Sequence, residues 1–336
     1  MLKKSHLSER KSLKANNRHS ILKPNGGVGS DSYAFFHSEI DMQFLSWKLL
    51  TAVFIASTSC VSVFAQQRLD IRDVKPDLTI PNLTEGKPTA GCRVKCFPKF
   101  ENQELYHVLY LPTDWKRGGK YPVVVEWAGN GNYKNRFGDV SNGTPEGSKL
   151  GYGLTSGAGC IWLCLPYLNN NGTQNVTQWW GDAPTFDPQP TVEYAKNTIA
   201  SVCKEFGGDL TRIVLTGFSR GAIACNYLGL YDDDIATTWA GFVCYSHYDG
   251  VQQWPFPKSD SAAALARLKR LGARPQFICA ENSLARTKAY LRQTGIDGHW
   301  TFASTGFRNH SDAWILRPSA CRDELRAWFD TFGPSR

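Results

Sequence analysis

Seven short stretches of this chain are apolar at nearly every position, and they show no polar alternation. They are LYHVLYLP (105–112), YPVVVEWAG (121–129), GCIWLCLPY (159–167), RIVLTGF (212–218), GFVCYSH (241–247), PQFICA (275–280) and the run 300–304. A strand with one wet face alternates; one buried on both faces does not, and crossover helices are what cover both faces. Helical spacing falls over 191–206, where Val192, Ala195, Ile199, Val202, Cys203 and Phe206 recur before Gly207-Gly208. Further helices are expected over 222–230, 262–271 and 322–332. The pattern predicts an α/β protein with a mostly parallel central sheet and helices on both faces. No internal repeat and no second domain is evident.

This pattern occupies residues 105–336, the expected catalytic domain. Residues 66–104 are polar and punctuated by proline, and read as a leader or surface strap. Residues 42–65 have a basic start at Lys48, an apolar run too short to span a bilayer comfortably, and Val63-Phe64-Ala65 at the end. That is the form of a secretory signal peptide, so a secreted or periplasmic protein is expected, membrane-bound only if the segment is retained as an anchor. Residues 1–41 are a disordered or mis-called extension, with translation starting at Met42. Of the formal charge of +8, the part from Gln66 onward carries 30 basic and 26 acidic residues, with no dense basic run. Nothing there calls for a nucleic-acid partner. Nine cysteines follow Ala65, an odd number, so at least one is unpaired within the chain. Cys92 and Cys96 are close enough for a local bridge. No C-x-x-C pair and no H-E-x-x-H occurs, so no metal and no cofactor is expected.

One motif carries chemistry. Gly217-Phe218-Ser219-Arg220-Gly221 is the single G-x-S-x-G in the chain, and it lies where an apolar strand meets a helix. A sharp turn there lifts the serine side chain above the sheet, and glycines two before and two after let strand and helix approach. A serine hydroxyl needs a neutral imidazole within reach to become a nucleophile. Beyond the signal segment the histidines are His107, in mid-strand; His247, after the strand that follows the elbow; His299, before the last strand; and His310, in the loop after it.

The strand-flanked GFSRGA, the WAGNGN turn and the final His310 resemble the α/β-hydrolase superfamily. Within it, the chain is similar to secreted polyhydroxybutyrate depolymerases and feruloyl-esterase type carbohydrate esterases. The likeness extends over roughly 105–332. It implies a secreted serine hydrolase that cleaves a carboxylic ester, of an acylated carbohydrate or a polyester-like substrate, through a Ser-His-acid triad and an acyl-enzyme. A serine peptidase on the same fold and a non-catalytic binding module on a hydrolase scaffold are the alternatives. The resemblance implies Ser219 as nucleophile and His310 as general base. It implies an oxyanion hole made by the amides of Arg220 and of Asn130 or Gly129, although Trp127-Ala128 stands where His-Gly is usual.

The acid has two candidates. The position most used in the superfamily falls in Cys279-Ala280-Glu281-Asn282-Ser283, where Ser283 takes the expected Asp place and Glu281 could substitute. One strand earlier, Ser246-His247-Tyr248-Asp249-Gly250 offers Asp249, the preferred of the two. The loop 169–182, NNNGTQNVTQWWGD, would overhang the nucleophile, and paired Trp179-Trp180 beside amides suits stacking on a sugar or an aromatic acyl group. With Trp127 and His247 they are the expected substrate-binding residues, and a small-molecule or polysaccharide ester is the expected partner.

Overall fold

The computed structural model describes residues 68–98 and 104–332. The expectations for 1–41 and 42–65 lie outside the described residues. Nine strands form one sheet: β1 (Leu83–Thr84), β2 (Arg93–Cys96), β3 (His107–Tyr110), β4 (Tyr121–Trp127), β5 (Ile161–Leu165), β6 (Gly208–Phe218), β7 (Gly241–Tyr245), β8 (Gln276–Ala280) and β9 (Trp300–Ser304). Their spatial order is β1-β2-β3-β5-β4-β6-β7-β8-β9. From β5 to β9 every pairing is parallel, while β3 runs antiparallel to both of its neighbours. The strands β5, β7 and β8 are buried at every position, as their unbroken apolar sequences require.

Among the described residues, besides a single turn at Asp233–Ala236, the helices are α1 (Leu150–Thr155), α2 (Gln189–Phe206), α3 (Arg220–Tyr227), α4 (Ser261–Leu268), α5 (Ala285–Thr294) and α6 (Ala320–Asp330). The pleat sorts the core into two layers. Val123, Val125 and Trp127 of β4 point to the face covered by α2 and α3, where Val192, Ile199 and Ile223 meet them. Val124 points to the other, where Leu150, Leu154, Leu325 and Phe329 of α1 and α6 pack. Helix α5 was not foreseen because ARTKAYLRQT is mostly polar and buries only Thr287 and Leu291. Helix α1 is short, and its first amides are satisfied by a core carboxylate. Glu126 of β4 accepts from Lys149, Leu150 and Gly151 N–H and from the Trp162 indole.

The described part of 66–104, residues 68–98 and Glu104, contributes to the sheet. Its β2 pairs with β3 through Arg93↔Tyr110 to Cys96↔His107 and extends the sheet. With only Val94 strongly apolar in RVKC, no hydrophobic run announces it. The part before it is hydrogen-bonded to the loop after β9: Leu69 N–H donates to Gly306 O and Arg308 N–H to Leu69 O. No disulfide joins the described cysteines; seven of the nine are buried thiols, and Cys92 and Cys96 are not bridged. Among the described residues no helix is long and apolar enough to cross a membrane.

Candidate active site

The end of β6 and the start of α3 meet at Ser219, whose backbone is forced to φ 55°, ψ −112°. A non-glycine residue there stores on the order of 1–3 kcal/mol, held only because its surroundings fix it. Ser219 N–H is tied to Tyr245 O at 2.9 Å. Both glycines of the motif are required by space. A Cβ on Gly217 would strike the backbone of Gly221, and one on Gly221 would strike the carbonyl oxygen of Trp127.

His310 lies in the loop after β9, with Nε2 3.1 Å from Ser219 Oγ. Its Nδ1 lies 2.8 Å from Glu281 Oε1. Glu281 follows β8 directly and is 3% exposed. Burial pushes its pKa up, but the hydrogen bond and charge of His310, with a contribution from Ser246, outweigh that and hold it below the ordinary range. Asp249, the candidate preferred from sequence, is elsewhere. It forms a two-pronged ion pair with Arg267, at 2.9 and 3.1 Å, in the core beneath α4. There burial pushes its pKa up to about 6 against the pull of Arg267. Asp249 is not among the residues that line the pocket at Ser219.

Several groups that hold the histidine were not visible from sequence. Ser246, at φ 85°, places its hydroxyl 2.9 Å from His310 Nδ1, 3.1 Å from Glu281 Oε1 and 3.2 Å from His247 Nδ1. Buried Asp139 accepts from the His310 N–H at 2.9 Å and from Asn309 Nδ2 at 2.8 Å. Tyr245 donates its hydroxyl to Asn309 O at 3.0 Å. From the strap, Ile71 N–H donates to Asn309 Oδ1, and Arg68 donates to Glu281 O and Asn282 Oδ1. Apart from the Ser246–His247 contact between neighbours, these contacts are long-range in sequence, so no local motif could have marked them.

Above the serine is an open pocket of about 520 Å³, lined by Asn130, Tyr133, Trp179, Ile223, His247 and Trp254 among others. Trp179 and Trp254 stand 5.2 Å apart, ring centre to ring centre, and His247 is 5.4 Å from Trp254. Burial, then the neighbouring His310, pull His247 down to about 4, so it is neutral at neutral pH. Trp254 was missed because WPFP, beyond the β7 loop, shows no pattern. Two expected substrate residues are corrected. Trp127 and Trp180 are wholly buried, the first stacked on Tyr167 and continuing the inward face of β4, the second packed among Tyr167, Tyr227 and Phe256.

Arg220 is the first residue of α3, and its backbone N–H is one of the helix's unpaired initial donors. The turn after β4 lies beside it. Asn130 and Arg220 both line the pocket, and Gly129 packs against Phe218. Asn130 Oδ1 accepts from Trp179 N–H at 2.9 Å, tying this turn to the pocket wall.

This strand order, with a serine at a strained elbow after the central β6, is the α/β-hydrolase fold. The chain matches no protein-family model and no curated protein. Among solved structures it is similar to an S-formylglutathione hydrolase from Agrobacterium tumefaciens (TM-score 0.49, 14% identity, 74% of this chain and 99% of that one). It is also similar to a CE1 ferulic acid esterase from Anaeromyces mucronatus (0.43, 17%, 74% and 94%). A thermostable esterase gives 0.40 and 16% identity over 67% of this chain. The chain spans 58% of that esterase's length and 39% of that of a similar isopeptidase. The fold assignment rests on this chain's own topology.

Proposed function

We propose that the protein is a secreted serine hydrolase that cleaves a carboxylic ester through an acyl-enzyme, with Ser219, His310 and Glu281 as its triad. The observation that carries this reading is the unbroken relay from Ser219 Oγ to His310 Nε2 at 3.1 Å and from Nδ1 to Glu281 at 2.8 Å. In it, His310 takes the proton of Ser219 as Oγ attacks the ester carbonyl, and Glu281 stabilises the imidazolium. The amides of Arg220 and Asn130 (or Gly129) receive the oxygen as it becomes anionic. His310 then protonates the departing alcohol, and a water activated the same way releases the acid.

A buried carboxylate in reach of the imidazole favours this over a non-catalytic binding module, for which such a relay has no use. The open pocket, with Trp179 and Trp254 packed on each other in its wall, suits an acylated carbohydrate, whose flat sugar face stacks on an indole, or a polyester-like chain, whose apolar carbons lie against it. The test is hydrolysis of p-nitrophenyl acetate by residues 66–336. Turnover is expected, with a loss of at least about a thousandfold in Ser219→Ala and in His310→Ala. An inert wild type, or Ser219→Ala equal to it, would overturn the reading, and an acyl-peptide cleaved faster than any ester would move it to the peptidase class.

A further inference from the structure

The residue after the serine has a side chain for which the proposed reaction gives no role. Arg220 is 1% exposed, with its guanidinium inside the molecule rather than in solvent. Nη1 donates to Trp179 O at 2.7 Å, and Nη2 donates to Gly129 O at 2.9 Å and Gly143 O at 3.0 Å. The group lies 3.7 Å from the centre of the Tyr167 ring, as a cation over a π face. Among the described residues no carboxylate is bonded to it, and its Nε is buried without a partner. Buried charges are ordinarily paired, because an isolated one is costly to remove from water. Burial lowers this guanidinium to about 10, so it remains a cation at neutral pH.

The three carbonyls belong to three separate segments: the turn after β4, the turn before α1, and the loop that carries the Trp179 wall. One of them, Gly129 O, immediately precedes the Asn130 amide. An unneutralised positive charge is otherwise a liability, but this one is bonded to the turn that carries the Asn130 amide, and negative charge forms at the oxyanion donors whenever an ester carbonyl is attacked. We propose that the guanidinium of Arg220 is the positioning residue of the oxyanion site: it fixes the Asn130 turn through Gly129 O and sets a positive potential that the tetrahedral oxyanion meets. Arg220 then serves twice, its N–H at the oxyanion and its side chain behind the second donor. This inference rests on the serine-hydrolase reading.

Arg220→Met removes the charge while roughly keeping length, and Arg220→Lys keeps the charge but not the planar fork that spans three acceptors. Each is compared with wild type in p-nitrophenyl acetate kinetics and in inhibition by an aryl trifluoromethyl ketone. With that inhibitor Ser219 Oγ bonds to the ketone carbon, the carbonyl electron pair moves to oxygen, and the serine proton passes to His310, giving a stable oxyanion. For Arg220→Met we expect kcat to fall about 30- to 300-fold with KM changed less than about threefold, and the ketone Ki to rise by the same factor as kcat/KM falls. Arg220→Lys should recover part of both losses together. A general loosening of the pocket wall would raise KM as well, whereas parallel changes in Ki and kcat/KM at constant KM, partly recovered by Arg220→Lys, locate the loss at the oxyanion.

A folded Arg220→Met with both quantities within threefold of wild type would overturn the proposal, as would a loss confined to KM. If Arg220→Met does not fold, Arg220→Lys carries the test, and unchanged kinetics in it count against the proposal. Failure of both to fold would assign the guanidinium to the scaffold and overturn it as well. An active wild type with unchanged variants sinks this inference alone, whereas a wild type inert on every ester sinks the hydrolase reading beneath it.

Discussion

At the scale of single residues, the two carboxylates once in competition now differ in kind. Glu281 accepts from the imidazole and is held low, so it stays ionised at neutral pH. Glu281→Gln is expected to lower kcat on p-nitrophenyl acetate by about 10³- to 10⁴-fold, by misorienting the ring and failing to stabilise its cation. Arg267→Met, which leaves Asp249 buried and unpaired, is expected to cost about 3–5 kcal/mol of stability with kcat of the folded fraction near wild type; thermal unfolding together with kinetics reads both. Ser246→Ala removes one hydrogen bond to an ionised group, so kcat should fall about tenfold with little change in Tm. Trp179→Ala should raise KM for an aromatic ester by up to about tenfold, whereas Trp180→Ala, in the core, should act on stability by about 3–5 kcal/mol. Ser219 and His310 were legible because an elbow and a loop after the last strand are local patterns. Whether Asp249 or Glu281 reaches the ring depends on how each loop turns after its strand, which neither spacing nor composition records.

At the scale of elements, the segment 68–74 links the loop of Glu281 to the loop of His310. Arg68 binds the Glu281 loop, while Leu69, Asp70 and Ile71 bind the loop of His310 through Gly306, Arg308 and Asn309. Because a misplacement of about 1 Å can cost a hundredfold, deleting residues 66–74 is expected to lower kcat at least tenfold in protein that still gives a cooperative thermal transition. Full activity after that deletion would show that the loops hold themselves. The sequence suggested a leader or surface strap over 66–104 but not which loops it would bind, since those lie more than 200 positions away. The same limit applies to β2, whose partner β3 could be read but whose own RVKC could not. By contrast the central strands were legible, because burial on both faces dictates their composition directly.

At the scale of the whole molecule, the fold half-buries two histidines, His107 in β3 and His247 after β7. Burial holds both His107 and His247 at about 4, below the ordinary 6.5, and His107 is bonded to Tyr194 at 2.9 Å. The unfolded chain therefore takes up protons that the fold refuses, so their contribution to stability is present above about 6.5 and falls away as pH drops towards 4. Between pH 6.5 and 4.5, Tm of the wild type should fall more steeply than that of His107→Gln, and parallel curves would contradict this. The central proposal is that Ser219 is activated by His310, which Glu281 orients. Stoichiometric reaction with diisopropyl fluorophosphate, followed by peptide mass mapping and timed inactivation, measures that activation without presuming a substrate. One adduct on Ser219 is predicted, with inactivation lost in His310→Ala, strongly slowed in Glu281→Gln and nearly unchanged in Asp249→Asn. Labelling elsewhere, or equal rates in wild type and His310→Ala, would contradict it.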